Sequence, residues 1–248
     1  MRSVEVVDLR VDVVGIRQVV DELIEWTGRT DRVRVAVGVN AHVCNMAAKD
    51  AMLREFVRAA DLAYADGQSI VWAGRIFGAK IPERVATTDI IFPLSSAAAA
   101  AGRRIFFYGS APGVAERAAA RLVAIEPDLQ IEVANGFIPK SEVAELVQRI
   151  NDFGTDMLFV GLGDPLQQQW IEEWREELRV PVVLTCGGLF DWTSGNNRRP
   201  PEWMVKAGLE WFWRVLIEPR RLARRYLLGN PAFIYRLLGQ YLRERRAG

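Results

Sequence analysis

The chain has 248 residues, half of them apolar and a quarter charged, which excludes a disordered tail, a collagen-like fibre and a small disulfide scaffold. Its two cysteines, Cys44 and Cys186, lie far apart and indicate a reducing compartment, while a single histidine, His42, argues against a His-rich zinc site or a Ser-His-Asp triad. With a formal net charge of +1, no apolar stretch near the roughly 18 residues of a membrane span and no secretory signal, the chain is predicted to be soluble and cytoplasmic.

Short apolar strands alternate with helices along most of the chain. The first predicted elements are one or two strands in 4–14, a helix over 16–26, a strand over 33–39, a helix from Ala41, a strand over 62–65 and a helix from Gln68. They are followed by a strand over 104–108, a helix over 114–125, a strand over 131–134, a helix capped by Ser141, a strand over 157–160, a helix over 166–178 and a strand over 182–186. This alternation predicts an α/β protein with a Rossmann-like parallel sheet covered by helices on both faces.

The composition changes near Gly195. Residues 196–248 hold twelve Lys or Arg against four Glu, a net charge of +8, together with eight aromatic residues. We therefore predict a core over 1–195 and a helical C-terminal appendage over 196–248. A basic, aromatic segment suits an anionic membrane surface or a nucleic-acid backbone, and a docked helical hairpin with a solvated cationic face explains it equally well.

Polar residues and glycines follow the predicted strands, where ligands bind in a parallel sheet. Asp66 could be a catalytic carboxylate, or it could have a structural role in an Asx turn or a helix cap. The same functional and structural interpretations apply to Asn40. The loop 109–113 could seat a diphosphate on helix N-terminal amides or be a tight turn. It lacks the second glycine of the dinucleotide signature, because Ala111 stands there.

Three classes of function remain to be weighed at this point. A nicotinamide-dependent oxidoreductase is disfavoured by the missing glycine signature. A non-enzymatic membrane- or nucleic-acid-binding module is compatible with the basic appendage, but it gives the strand-end polar residues no purpose. An enzyme acting on a nucleotide diphosphate would have to work without an Asp-x-Asp metal motif, since the sequence contains none.

Many short motifs follow one another in a fixed order along the chain. Those of the core are YADG (64–67), VWA (71–73), PERVA (82–86) with Asp89, GxxPGVAE (109–116), GxGxPxQ (161–167) with Trp170, and GGxFD (187–191). Those of the C-terminal part are GNNRR (195–199), PxW (201–203), GLEW (208–211), EPRR (218–221), RRY (224–226) and GNP (229–231). Together they resemble one family, the WecG/TagA/CpsF glycosyltransferases of bacterial surface-polysaccharide synthesis, over about residues 33–235.

The resemblance implies an inverting, metal-independent glycosyltransferase that uses no cofactor. Such enzymes move an N-acetylmannosamine-type sugar, or its uronic acid, from UDP to a sugar linked by diphosphate to undecaprenol. They work as peripheral proteins on the cytoplasmic face of the cell membrane, without nucleic acid, and self-associate in solution, so a homo-oligomer is also expected. Other members are thought to use UDP-glucose or UDP-glucuronic acid, and these donors stay open as alternatives.

The resemblance also assigns roles to individual residues. Asp66 matches the general base, and Asn40, Arg84 and Gln167 match polar residues of the pocket. The remaining residues expected to contact substrate belong to the strand-end motifs: Gly109, Gly163, Gly187 and Asp191. The appendage arginines expected near the lipid diphosphate are Arg214, Arg221 and Arg224.

The chain departs from the family pattern at two positions. Gly38 stands where many relatives have a threonine, and Gln168 stands where an acid is usual. Both changes lie beside the expected pocket, so they raise the hypothesis of an altered donor preference.

Overall fold

The computed structural model describes residues 1–196, 201, 204, 210–217 and 219–247. In the last two ranges the description covers the backbone, and it leaves out the side chains of residues 210, 211, 214, 219–221, 223–225 and 247.

A six-stranded, all-parallel sheet forms the centre of the protein, and a small antiparallel hairpin precedes it. The hairpin strands are β1 (Ser3–Val6) and β2 (Leu9–Asp12). The sheet strands are β3 (Arg34–Val39), β4 (Leu62–Ala65), β5 (Arg104–Gly109), β6 (Gln130–Ala134), β7 (Met157–Gly161) and β8 (Val182–Thr185). Their order across the sheet is β4-β3-β8-β7-β5-β6. The central strands are buried on both faces, as their continuous apolar runs predict.

Helices cover both faces of the sheet and enclose two apolar clusters. The helices before β6 are α1 (Ile16–Trp26), α2 (Ala41–Ala47), α3 (Ala51–Ala59), α4 (Gln68–Ile76), α5 (Thr87–Ala100) and α6 (Val114–Ile125). The later ones are α7 (Val143–Asp152), α8 (Leu166–Trp174), α9 (Leu189–Thr193), α10 (Glu210–Ile217) and α11 (Pro219–Ala247). Helices α1, α5, α6 and α9 bury their apolar residues in one cluster, while α2, α3, α7 and α8 contribute to the other.

The predicted α/β fold is confirmed, and the elements differ from prediction in four places. The helix predicted from Ala41 is two helices, α2 and α3. Ser141 does not cap a helix: it lies in a 3-10 turn over Lys140–Glu142, and α7 begins at Val143 without a side-chain cap. Helix α8 ends at Trp174 rather than near 178. Helix α5 was not predicted, because its apolar residues lack a clear period and Pro93 stands inside it.

The C-terminal helix α11 packs on the rest of the protein. Phe233 and Leu237 are buried in the same cluster as β3 and α2. The Gln240 side chain accepts a hydrogen bond from the backbone N–H of Val7 at 2.7 Å and donates one to the Glu5 carbonyl at 3.0 Å, which ties the helix to the hairpin. Within the described ranges, no helix combines the length and the hydropathy that crossing a bilayer requires. The boundary near Gly195 stays a prediction.

Candidate functional site

A cleft of about 970 Å³ runs along the carboxyl ends of the parallel strands. All six strands contribute lining residues just beyond their ends or at them, among them Asp66, Asn40, Cys186, Asp164, Ser110 and Gly136. Since neighbouring strands are about 4.8 Å apart, six strands span about 24 Å. A cleft of this length can hold two small ligands side by side.

Asp66 and Asn40 form a hydrogen-bonded pair at the β4 end of the cleft. Asn40 Nδ2 donates to Asp66 Oδ2 at 3.2 Å. The Asn40 side-chain oxygen is already engaged, because it accepts from the backbone N–H groups of His42 (3.0 Å) and Val43 (3.1 Å) and so caps α2. The cap fixes which way the amide points, and the NH₂ group must face Asp66. Asp66 does not cap a helix, since Gly67 occupies the N-cap of α4; the Asx turn, its other structural interpretation, stays open beside the catalytic one.

Tyr64 supports this end of the cleft from below. Its ring is fully buried, and its hydroxyl lies 3.2 Å from the Thr87 hydroxyl, which lines the cleft. Burial raises the pKa of Tyr64 well above its usual value, and the negative charge of Asp66 raises it further. Tyr64 is therefore a neutral phenol at physiological pH, held next to the Asp66 carboxylate.

A second polar network lies at the β7 and β8 end. The side-chain amides of Gln167 and Gln168 both donate to Asp164 Oδ1, each at 2.7 Å. Gln167 Oε1 in turn accepts the backbone N–H of Gly187 at 3.1 Å. Gln167 is buried and lines the cleft, so it is not a surface residue of α8. This network joins the loop after β7, the start of α8 and the loop after β8.

The loop before α6 contributes Ser110 and Ala111 to the lining, whereas Gly109 is not one of the described lining residues. A Cβ on Gly109 would lie 2.4 Å from the Gly161 carbonyl oxygen, so the glycine allows β5 and β7 to approach closely at their ends. Ser110 and Gly113 adopt left-handed backbone angles (φ of +60° and +83°), which turn the chain into α6. The loop that leads into the N-terminus of α6 thus lies on the cleft, and the predicted phosphate site stays a prediction.

The other predicted site residues are divided between the cleft and its surroundings. Gly163, Gly187 and Asp191 line the cleft. Arg84 is not among the described lining residues, and its guanidinium pairs with the Asp89 carboxylate. The side chains of the three predicted arginines of the appendage lie outside the described residues: Arg214, Arg221 and Arg224. Leu222, which lies between two of them in sequence, is buried and lines the cleft.

Several lining residues were not predicted. Tyr108 and Trp170 pack with ring centroids 4.9 Å apart, and Thr88, Lys140 and Glu173 also line the cleft. Tyr108 directly precedes a strand-end glycine, and Trp170 follows Gln167 by three residues, which is one helical turn. Their positions next to predicted motifs could have revealed both.

The described lining is rich in negative charge. Its carboxylates are Asp66, Asp164, Glu173 and Asp191. Lys140 is the one Lys or Arg among the described lining residues. No group of three His, Cys, Asp or Glu comes together among the described residues in a way that could hold a metal ion. The predicted independence from metal stays a prediction.

Both cysteines are free, buried thiols. Burial raises the pKa of Cys44 to about 12. Burial also raises the pKa of Cys186 well above its usual value, and the nearby charge of Asp164 adds to the effect. The thiolate, which is the nucleophile, is therefore scarce at neutral pH, and Cys186 is unsuited to covalent catalysis although it lines the cleft.

Comparison with protein families gives a match over nearly the whole chain. Residues 4–247 match the family described as "Glycosyl transferase WecG/TagA/CpsF family". The matched region includes all strands of the sheet, the cleft and the C-terminal helix.

Curated proteins of three bacteria are similar to this chain, and all carry the name N-acetylglucosaminyldiphosphoundecaprenol N-acetyl-beta-D-mannosaminyltransferase. The protein of Bacillus subtilis (strain 168) is 30% identical over 202 residues, 81% of this chain and 77% of that protein. The protein of Bacillus spizizenii is 31% identical over 180 residues, 72% of this chain and 68% of that protein. The protein of Staphylococcus aureus (strain NCTC 8325 / PS 47) is 26% identical over 201 residues, 81% of this chain and 78% of that protein.

Proposed function

From the premise that the chain belongs to the WecG/TagA/CpsF family and is a glycosyltransferase, we propose that it transfers N-acetylmannosamine from UDP to N-acetylglucosamine linked by diphosphate to undecaprenol. The shared name of the three relatives supports this donor sugar and acceptor over the alternatives of glucose or glucuronic acid. It also disfavours a non-enzymatic binding module, because all three are named as transferases.

The observation that carries the proposal is the Asp66–Asn40 pair on the cleft. In the proposed step, the acceptor hydroxyl oxygen attacks the anomeric carbon, the bond from that carbon to the UDP oxygen breaks, and the hydroxyl proton passes to the Asp66 carboxylate. A base on the acceptor side and a leaving group on the opposite side give inversion at the anomeric carbon. Asp66 is half-buried and lines the cleft, so its carboxylate can meet a substrate hydroxyl.

The departing UDP gains negative charge, which the protein must stabilise. One proposed source of positive potential is the loop that lines the cleft with Ser110 and Ala111 and leads into the N-terminus of α6. Arg84 is a second, provided that its guanidinium shares or leaves its pairing with Asp89. No cofactor and no metal enter the proposed step.

The lipid diphosphate requires more positive charge than the described lining supplies. The arginines of the 196–248 segment are the natural source, because that segment carries a net charge of +8. Leu222 supports this placement, since its burial in the cleft lining brings the first turn of α11 to the rim. We therefore assign Arg214, Arg221 and Arg224 to the acceptor diphosphate. We place the enzyme at the cytoplasmic face of the membrane, where such lipid acceptors are used.

The test is transfer to a synthetic N-acetylglucosamine-diphospho-lipid acceptor, with the N-acetylmannosamine, N-acetylglucosamine, glucose and glucuronic acid derivatives of UDP compared as donors. We expect turnover with UDP-N-acetylmannosamine, a product of inverted anomeric configuration by NMR, and unchanged rates with EDTA. Faster transfer from another donor would overturn the assigned sugar. Loss of activity with EDTA that magnesium or manganese restores would overturn the metal-free step.

A further inference from the structure

Arg84 and Asp89 form an ion pair beside the cleft, near the end of β4. The guanidinium nitrogen Nη2 of Arg84 donates to Asp89 Oδ2. The backbone N–H of Val85 donates to the Ala65 carbonyl at 2.8 Å, so the segment that contains Arg84 runs beside the last residue of β4. Asp89 lies in the first turn of α5 and directly follows Thr88, which lines the cleft. Both partners are therefore attached to backbone that borders the cleft.

This ion pair can act on the reaction in two opposite ways. If Asp89 holds the guanidinium away from the donor, the pair is a latch that must break before UDP can use the positive charge. If Asp89 holds the guanidinium in place while it binds the diphosphate, the pair is kept and orients Arg84. The two alternatives predict opposite effects of removing Asp89.

The burial of the pair favours the second alternative. The side chain of Arg84 is 16% exposed and that of Asp89 is 26% exposed. If the guanidinium moved away, a carboxylate with little access to water would lose this charge partner, which is costly. A guanidinium has five N–H donors, so it can keep one carboxylate and donate to diphosphate oxygens at the same time.

The backbone before the ion pair is fixed, whereas the arginine side chain is long. Val85 is fully buried, and Glu83 Oε1 accepts the backbone N–H of Ile16 at 2.9 Å, which ties the segment before Arg84 to α1. A long side chain on a fixed backbone still has many rotamers, and ordering it costs conformational entropy. A carboxylate held in a helix selects one orientation before the substrate binds, and Asp89 is placed to do so.

We propose that Asp89 is a positioning residue for the transfer: it orients the Arg84 guanidinium toward the departing diphosphate and stays paired with it during the reaction. This inference rests on the proposed function, in which Arg84 stabilises the negative charge that UDP gains. Asp89 itself touches no reacting atom in this assignment and acts through Arg84.

The direct test is Asp89→Ala. We expect kcat to fall about tenfold or more, because a misplaced guanidinium stabilises the departing charge less. The affinity for UDP, measured by calorimetry, should fall about threefold or more, as for a weakened hydrogen bond. A gain in kcat or in UDP affinity would show that the pair is a latch and would overturn the inference. Normal kcat, or a lower kcat with normal UDP affinity, would overturn it as well, because Asp89 would then not act through the diphosphate.

Asp156→Ala is the matched control. Asp156 also pairs with an arginine, Arg103, at 3.6 Å, and its side chain is 21% exposed, close to the value for Asp89. It directly precedes β7 and therefore lies at the amino ends of the strands, opposite the cleft. We expect lower stability but near-normal kcat and UDP affinity. If this variant lost as much kcat as Asp89→Ala, the loss would follow from destabilisation alone and the positioning role would be wrong.

The variant Arg84→Gln separates this inference from the proposed function. If Asp89 acts through Arg84, adding Asp89→Ala to Arg84→Gln should change kcat less than about twofold. A further fall by the same factor as in the unmodified enzyme would mean that the two residues act independently, and would contradict the inference. If Arg84→Gln lowers turnover and Asp89→Ala does not, only the inference fails. If Arg84→Gln itself keeps full turnover and UDP affinity, the proposed role of Arg84 is wrong and the inference falls with it.

Should Asp89→Ala not fold, Asp89→Asn replaces it in every comparison. This substitution keeps the shape of the side chain and removes its charge. Falls in both kcat and UDP affinity support the inference, and a normal value of either contradicts it.

Discussion

Two carboxylates on the same cleft, Asp66 at the end of β4 and Asp164 after β7, are held in different ways. Asp66 takes a 3.2 Å hydrogen bond from Asn40, whose orientation is set by the cap of α2. Asp164 takes two 2.7 Å hydrogen bonds from buried glutamine amides, and through Gln167 it is connected to the backbone of Gly187.

From this difference we predict that Asp66 is suited to chemistry and Asp164 to holding loops together. The lone pairs of Asp164 Oδ1 satisfy amides that burial would otherwise leave without an acceptor, so its removal should cost stability. The longer bond of Asp66 to Asn40 orients a carboxylate that faces the cleft, so its removal should cost rate. Three experiments test this contrast.

The largest effect is expected for Asp66→Asn, which keeps the shape of the side chain and removes its basicity. We expect kcat to fall by about 10²–10⁴-fold, because the acceptor proton loses its acceptor. Binding of UDP, followed by calorimetry, should be retained, and the thermal transition should move little. Turnover close to that of the unmodified enzyme would show that both carboxylates are structural.

A smaller effect, on stability, is expected for Asp164→Ala. Gln167 and Gln168 are buried, so their amides lose their shared acceptor, and the free energy of unfolding should fall by roughly 1–3 kcal/mol. Urea unfolding followed by circular dichroism measures the loss. An unchanged midpoint would contradict the structural role, and a loss of kcat as large as that of Asp66→Asn would erase the contrast.

The smallest effect is expected in the alkylation rates of the two cysteine thiols, which report separately on the two ends of the cleft. Cys44 lies in α2, which Asn40 caps, and Cys186 lies beside the Asp164 network. Raised pKa values keep both thiols protonated at pH 7–8, so labelling by iodoacetamide should be much slower in the native enzyme than in urea.

The Asp164→Ala variant tests the two ends against each other. Mass spectrometry of its peptides after labelling should show faster labelling at Cys186 than at Cys44. Equal acceleration at both would indicate global loosening instead.

The sequence predicts the sheet and most of its helices because local chemistry decides them. β-Branched and apolar runs such as 33–39 and 62–65, alternating with helices, are typical of strands buried in a parallel sheet, and the observed strands agree with them. Helix α5 escaped prediction because tertiary packing decides it, and its sequence lacks a clear apolar period. The start of α7 was predicted wrongly at Ser141, since a preceding 3-10 turn took the place of the cap.

For the site, the rule that ligands bind beyond the ends of parallel strands was enough to select Asn40, Asp66, Gly163 and Gly187, and the family resemblance added Gln167. The structure places all five on the cleft. The same rule could not show that Arg84 pairs with Asp89, because the position of a flexible guanidinium depends on what packs around it.

By itself the sequence determined the fold class, the family and the loops that form the cleft, since these follow from hydrophobic periodicity and from residues at fixed spacing. Only the tertiary structure decided how Asp66 is held. Asn40, which donates a hydrogen bond to it, follows a different strand and stands 26 positions earlier, and this contact depends on strand register to within tenths of an ångström. No local pattern encodes such distances, because they arise when β3 and β4 pair.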